Sequence, residues 1–214
     1  MTNVRRARTE RPYDGGVPAG NRPKVLSLRR LAPGPGERTT EGYTLPEVAE
    51  TRSGVHVELA ARGTGDVATG LPVLDHLIRE LAVAASFRLA LEVAPGPADE
   101  ESTAAGRALG DALHGLVRAD GASGRGWAWL PDEEALAGAV LQVADRPLVS
   151  SNADFSGERL GGLASDVVGN FLGEVAAGAG LNIHIRVLEG RDPEHVRVAI
   201  FKALGAALGQ ATRP

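Results

Sequence analysis

The sequence predicts an α+β fold of two internally duplicated half-domains, each a sheet with helices on one face. Residues 107–110 read Arg-Ala-Leu-Gly, and residues 202–205, ninety-five positions later, read Lys-Ala-Leu-Gly. Both segments follow a run of alternating apolar residues, and each run follows an amphipathic stretch. This matched helix–strand–helix order indicates a duplication. Because the chain is rich in alanine, the shared order of elements is stronger evidence than the individual identities.

The first half-domain is predicted to cover residues 46–120. Val55, Val57 and Leu59 alternate with polar residues, which is typical of a half-buried strand. Later apolar residues recur at helical spacing. The predicted elements are a strand at 55–59, a turn at 63–65, a helix that opens at 69–70 and continues to 85, a strand at 87–93 and a helix over 100–117.

The second half-domain is predicted to cover residues 121–214, after a glycine-rich connector. Trp127 and Trp129 lie two positions apart, so on a strand both face one side, where we expect them to cover the core. The acidic residues 132–134, after Pro131, suit the N-terminus of a short helix. The remaining predicted elements are a strand at 139–149, a helix over 163–178, a strand at 181–188 and a helix over 194–210.

Composition limits the classes of function. The chain has 214 residues, a net charge of -4 and no cysteine. The lack of cysteine excludes a disulfide framework, a thiolate zinc site and a thiol nucleophile. No apolar stretch is long enough to span a bilayer, and the N-terminus has no apolar signal region. We therefore expect a cytoplasmic protein with no membrane partner.

The first 45 residues differ from the rest of the chain. They carry nine basic residues against four acidic ones, and Gly and Pro interrupt any periodicity. This predicts a basic, disordered N-terminal extension over residues 1–45. Binding to nucleic acid phosphates is one role for such an arm, but codon bias also explains the arginines, and we favour that explanation.

Five short segments resemble one enzyme family. Residues 69–77 read TGLPVLDHL, 131–136 read PDEEAL, 145–147 read DRP, 183–185 read IHI and 201–204 read FKAL. From about residue 48 to the C-terminus, their order and spacing resemble imidazoleglycerol-phosphate dehydratase, the manganese-dependent carbon–oxygen lyase of histidine biosynthesis. The resemblance implies the duplicated α+β fold and a homo-oligomer built from trimers, whose metal sites use residues of more than one subunit.

The resemblance also implies where metal ligands would lie. In the family, each half contributes a helix that opens with His-His-x-x-Glu, and these three side chains face the same side and hold a divalent metal. Here the two patterns fall on Asp99, Glu100 and Thr103 and on Glu194, His195 and Val198. Threonine and valine cannot replace a glutamate as an ordinary charged ligand.

Histidines and carboxylates occupy the other ligand positions. By family analogy, one site would hold His76, Glu100 and His195, and its partner would hold His184, Asp99 and Glu194. Carboxylates bind manganese, but they are harder donors and add negative charge. The alternative is that the acidic residues simply favour helix N-termini.

Two basic residues match family positions that bind the substrate phosphate. These are Arg146 and Lys202, and two cations that converge on a phosphorylated small molecule would bind it strongly. Alternatively, Arg146 is a surface ion-pair partner and Lys202 is a solvated helix residue.

Three hypotheses for function follow. The first is a diverged member of the dehydratase family whose manganese-dependent dehydration is impaired or lost, because Thr103 and Val198 stand where glutamates are required. The second is an active lyase on imidazoleglycerol phosphate or a related phosphorylated polyol, with manganese held by the altered sites. The third is a nucleic-acid-binding module that uses residues 1–45, with affinity that falls steeply with salt.

Overall fold

The structure is a computed structural model that describes residues 53–153 and 165–214. These residues belong to one compact unit, and the extension predicted for residues 1–45 lies outside them. The elements are β1 (Gly54–Leu59), β2 (Thr64–Ala68), α1 (Pro72–Ala85), β3 (Phe87–Glu92), α2 (Ala98–Leu116), β4 (Arg125–Asp132), β5 (Ala135–Val143), β6 (Leu148–Ser151), α3 (Ser165–Ala179), β7 (Leu181–Glu189) and α4 (Pro193–Ala211).

The strands form two sheets with matching topology. The first sheet has the order β1-β3-β2 and the second has the order β4-β5-β7-β6. In the first, β3 pairs antiparallel with β1 and parallel with β2. In the second, β7 pairs antiparallel with β5 and parallel with β6. Parallel neighbours need a crossover, which α1 and α3 provide. The predicted duplication is therefore confirmed, with β4 as an added edge strand.

The ends of the two crossover helices repeat as well. Ser86 follows α1 with φ 54°, and Gly180 follows α3 with φ 66°, ninety-four positions later. The backbone N–H of each residue donates a hydrogen bond to the carbonyl three residues earlier, and a strand begins at the next residue. A left-handed residue at this point stops the helix and turns the chain back onto its sheet. Glycine adopts that conformation without strain, whereas it is energetically unfavourable for the serine.

The helices pair across the two halves. Helix α4 packs against α1, and α2 packs against α3, while α1 also contacts the first sheet and α4 the second. The four helices thus lie between the two sheets, as the prediction of helices on one face of each sheet requires. Phe171 on α3 and Phe201 on α4 stack in this layer with ring centroids 5.8 Å apart, and both are fully buried.

Glycines set the distance between the paired helices. A Cβ on Gly205 of α4 would overlap the carbonyl oxygen of Leu81 on α1, and a Cβ on Gly110 of α2 would lie 2.8 Å from the carbonyl oxygen of Val175 on α3. These two glycines are the equivalent residues of the repeated Ala-Leu-Gly segment. The duplication thus repeats the backbone contact as well as the elements.

Three predicted elements are wrong. Strand β2 begins at Thr64, inside the turn predicted at 63–65. It pairs with β3 through backbone hydrogen bonds and has one buried side chain, Val67. The strand predicted at 139–149 is two strands, β5 and β6, separated by a bend at 145–146. The helix predicted after Pro131 is a two-residue hairpin between β4 and β5, in which Glu133 has φ 45°.

The tryptophan pair does not cover the core. Trp127 and Trp129 share one face of β4, as predicted, but they are 63% and 44% exposed. The inner face of β4 instead carries Gly126 and Ala128, and a Cβ on Gly126 would overlap the Ala207 carbonyl of α4. Because α4 lies so close to this strand, only small residues fit there and both indoles must point outward.

No helix within residues 53–153 and 165–214 is long and apolar enough to cross a membrane.

The close helix contact leads to a stability prediction. Gly205→Ala should lower the free energy of unfolding by about 1–3 kcal/mol, because the new methyl group forces α4 away from α1. Gly173→Ala is the matched control, since a Cβ there meets nothing within 4 Å, and alanine should stabilise α3 slightly. Chemical denaturation of both variants measures the difference. Equal stabilities would contradict the proposed contact.

Candidate functional site

A pocket of about 320 Å3 lies between the N-terminal turns of α1 and α4. It brings together two of the predicted ligand residues, because His76 and Glu194 both line it. Its full lining is Pro72, Val73, His76, Leu77, Glu194, Arg197 and Val198. The pocket forms here because the two helices run side by side with their N-termini at the same end, as the contacts at Gly205 and Gly209 require.

The Thr69-Gly70 segment fixes the start of α1. Asp75 accepts hydrogen bonds from the Thr69 amide at 2.8 Å and the Thr69 hydroxyl at 2.6 Å. Thr69 is fully buried, and Gly70 has φ 85°, so the chain turns sharply into Pro72 at the first helical position. This local network orients the first turn of α1, from which His76 projects.

The start of α4 is tied to the β4–β5 hairpin. Asp192 caps the helix by accepting from the Glu194 amide at 2.8 Å. Glu134 accepts from the Arg191 and Asp192 amides, at 3.0 and 2.8 Å, and its other oxygen lies 2.5 Å from Nδ1 of His195. His195 therefore points towards the hairpin and is not among the residues that line the pocket.

These contacts shift two pKa values. Hydrogen bonds from the Asp192 amide and from His195 lower the pKa of Glu134 to about 2. The hydrogen bond to Glu134 raises the pKa of His195 above its ordinary value of 6.5. The sequence analysis missed Glu134, although its position in the segment that resembles the family was a usable signal.

The two predicted ligand sets do not form within one protomer. His184 lies on the open face of the second sheet, between Val140 and Ser150 in the neighbouring strands, on the side away from the helices. Asp99 and Glu100 are exposed in the first turn of α2. Across the described residues, no group of three His, Cys, Asp or Glu side chains could hold a metal ion. Either predicted set therefore requires several copies of the chain.

The glutamate positions of the family pattern have neutral residues here. Val198 is 5% exposed and forms part of the pocket wall, and Thr103 is half-buried at the equivalent place on α2. Both residues lie near the start of their helices, and neither side chain can supply a charged ligand. Val198 makes the pocket wall apolar at that point.

Arg197 is the unexpected residue of the pocket. It is only 8% exposed, and its guanidinium makes no hydrogen bond or ion pair with any other residue that the structure describes. Burial lowers the pKa of its guanidinium, and the charges of Glu194 and Asp192 oppose this effect. Sequence analysis missed it, because no motif marks this arginine and its burial follows from the packing of α4.

The two predicted phosphate-binding residues lie far apart in one protomer. Lys202 donates to Asp132 at 2.6 Å, at the hairpin end of β5. Arg146 lies in the bend beyond the other end of β5, after Val143. Because a strand rises about 3.3 Å per residue, some 25 Å of sheet separates them. Arg146 is exposed, and Lys202 is an ion-paired residue rather than a freely solvated one.

Comparisons with known proteins agree with the fold. The family model of imidazoleglycerol-phosphate dehydratase matches residues 69–208. A dehydratase of that name from Erythrobacter litoralis (strain HTCC2594) is 32% identical over 167 residues, which cover 76% of this chain and 85% of that protein. One from Roseiflexus sp. (strain RS-1) is 34% identical over 175 residues, covering 77% and 84%. The crystal structure of the Staphylococcus aureus N315 enzyme superposes with a TM-score of 0.68 at 27% identity, covering 75% of this chain and 94% of that one.

The contact between Glu134 and His195 leads to a pH prediction. The lowered pKa of Glu134 means that its contribution to stability is present above pH 4.5 and is lost as the pH falls towards 2. The raised pKa of His195 means that its contribution is present below pH 6.5 and is lost as the pH rises through the raised value. The contact should therefore stabilise the fold most between about pH 4.5 and 6.5.

Glu134→Gln should move the pKa of His195 back towards its ordinary value, which an NMR titration of the histidine rings measures. Glu133→Gln removes the same charge one residue away and should leave the titration of His195 nearly unchanged. Identical His195 titrations in wild type and Glu134→Gln would rule out the contact.

Proposed function

The chain belongs to the imidazoleglycerol-phosphate dehydratase family, and we propose that it is a diverged member in which the manganese-dependent dehydration of that family is lost. The named relatives link the family to a lyase step of histidine biosynthesis. The observation that carries the proposal is the set of side chains at the α4 N-terminus. Here a buried valine stands at the family's glutamate position, and beside it lies a buried guanidinium that makes no hydrogen bond or ion pair with the described residues.

The donor chemistry supports this proposal. A paired manganese site needs several nitrogen and oxygen donors that converge on each ion. Val198 and Thr103 remove a carboxylate from each half, and Glu194, Asp99 and Glu100 substitute oxygen donors for imidazoles. Because imidazole and carboxylate differ in reach and charge, the remaining donors do not reproduce the family's paired centre. The residues present therefore do not fit it.

The charge at the pocket supports the same conclusion. The guanidinium of Arg197 lines the pocket beside His76 and Glu194. A fixed positive charge in the pocket wall disfavours a divalent cation there, because water screens a partly buried charge less than an exposed one. His195 is also held by Glu134, so recruiting it to a metal would first break that contact.

An active lyase with altered metal sites is the alternative. It is favoured by one observation, that His76 and Glu194 line the same pocket. One imidazole and one carboxylate are a weak set for a divalent ion, and other ligands would have to come from neighbouring subunits. Such an enzyme would dehydrate imidazoleglycerol phosphate or a related phosphorylated polyol.

We also propose that the chain forms a homo-oligomer through the open face of its second sheet. Trp127, Trp129, Val140 and Leu148 are all exposed on or beside this face. The indole of Trp129 lies across Gly138 of β5 and so covers that strand. Exposed apolar side chains that share one face of a sheet are typical of protein interfaces.

The loss of manganese chemistry predicts the outcome of two assays on the purified full chain. Elemental analysis after dialysis against manganese should find far less than one ion per subunit, and incubation with imidazoleglycerol phosphate and manganese should give no turnover. Turnover by the wild type that is lost in His76→Ala and His195→Ala would favour the active lyase instead. A family enzyme with both His-His-x-x-Glu helices serves as the positive control.

The oligomer predicts a change in molecular mass. Trp127→Ser should shift the mass measured by light scattering towards that of the monomer, because it removes the most exposed indole from the interface. Val83→Ser is the control, since Val83 is also exposed but lies on α1. The proposal fails if wild type is already a monomer, or if both variants assemble equally well.

A further inference from the structure

A second pocket, of about 330 Å3, adjoins the N-terminus of α4 on a different side. Its volume lies in the range of small-molecule sites. Among the described residues, the lining contains two arginines and no acidic side chain: Asn152, Ala153, Val187, Gly190, Arg191, Pro193, Val196 and Arg197. This composition indicates an anionic occupant rather than a cationic one.

Arg197 is the central observation. It is 8% exposed and lines both this pocket and the one that holds His76. Its guanidinium has no hydrogen-bond or ion-pair partner within the described part of the chain, and the charges of Glu194 and Asp192 compensate its own only in part. Removing a charge from water is costly unless a counter-charge or hydrogen bonds compensate it. This guanidinium also opens into a pocket whose described lining residues include no acidic side chain, so the pocket favours an anionic ligand.

The neighbouring polar groups do not meet that need. The side chain of Asn152 is hydrogen-bonded to the backbone of Val187: its oxygen accepts from the Val187 amide at 2.8 Å, and its nitrogen donates to the Val187 carbonyl at 3.1 Å. Asp192 caps α4, and Glu134 holds the loop amides before it. Neither of these carboxylates lines this pocket. Arg191 is exposed, and its guanidinium makes no hydrogen bond or ion pair with the described residues.

We propose that this pocket binds the phosphate group of a small phosphorylated molecule, with the guanidinium groups of Arg191 and Arg197 as its donors. Two planar guanidinium groups match the oxygens of a phosphate and bind it through charge-assisted hydrogen bonds. The pocket includes neither Arg146 nor Lys202, the residues that match the family's substrate-phosphate positions. It does not depend on the loss of manganese chemistry, because neither arginine belongs to the family's ligand pattern.

Calorimetric titration of the full chain with inorganic phosphate and with glycerol 3-phosphate tests this site at constant ionic strength. Both should bind the wild type, and Arg197→Met should weaken binding by about tenfold or more, the loss expected for a charged hydrogen bond. Arg62→Met removes the same charge from an exposed position and should leave affinity unchanged.

A thermal melt in phosphate-free buffer separates binding from folding. Arg197→Met should melt at the wild-type temperature or above it, because it removes an unpaired buried charge. If that variant fails to fold, Arg191→Met, which changes an exposed residue, should weaken phosphate binding in the same way.

Three results would overturn the proposal. The first is unchanged phosphate affinity in a folded arginine variant. The second is binding of inorganic phosphate without binding of glycerol 3-phosphate, which would show that the pocket accepts the free ion and not a phosphorylated molecule. The third is loss of binding in Lys202→Met but not in Arg197→Met, which would assign the phosphate to the position that the family resemblance implies. None of these results depends on turnover with manganese, so the two proposals can fail separately.

Discussion

The close approach of helices at Gly205 and Gly110 is the constraint on which the rest of the structure depends. Each glycine lets a helix of one half lie directly on the backbone of a helix of the other half. The two halves are therefore joined by repeated contacts between helices rather than by a shared sheet. Because interiors are close-packed, these contacts leave little freedom in how the helices align.

The same constraint positions the functional region. Contacts at Leu81 with Gly205, and at Ala85 with Gly209, hold α1 and α4 side by side with their first turns level. His76, Glu194 and Arg197 share a pocket for that reason. A second close contact of α4, with β4 at Gly126, explains the small residues there and hence the outward tryptophans. Two close contacts of the same helix thus determine the candidate site and the exposed aromatic residues.

The charge of the pocket separates this chain from the pattern that its family resemblance implies. A cation site requires acceptors and no fixed positive charge nearby, whereas the start of α4 supplies a buried guanidinium and an apolar valine. Arg197 and Val198 are consecutive residues, so the buried guanidinium and the valine at the family's glutamate position fall on the same helical turn. Under the proposed function, this turn favours anionic ligands over metal ions, and the first turns of the helices are where this chain differs from the family pattern.

Much of this arrangement can be predicted from the sequence. Helices α1, α2, α3 and α4 have long apolar periodicities, and the repeat fixes their equivalence. The segment β2 was not predicted because its five residues bury only Val67, and hydrogen bonds with β3 hold it. The hairpin at Glu133 was not predicted because acidic residues suit a helix start equally well, and the contacts of Glu134 with a distant loop decide between them.

The candidate site was predictable to a smaller extent. The resemblance identified His76, Glu194 and His195 as residues near the helix starts, but their side-chain directions depend on partners distant in sequence. The ring of His195 contacts Glu134, sixty-one positions earlier. His184 lies on the open side of the second sheet, because α4 packs against the other side. Arg197 carried no motif, and its burial is visible only in three dimensions.

Crystallography of the assembled protein, grown with manganese and measured at the manganese absorption edge, tests the central claim most directly. The account predicts no anomalous peak near His76, His184 or His195 in any combination of neighbouring subunits. A pair of full-occupancy peaks bridged by these imidazoles would contradict it, because it would show that the substituted donors still assemble the family's metal centre.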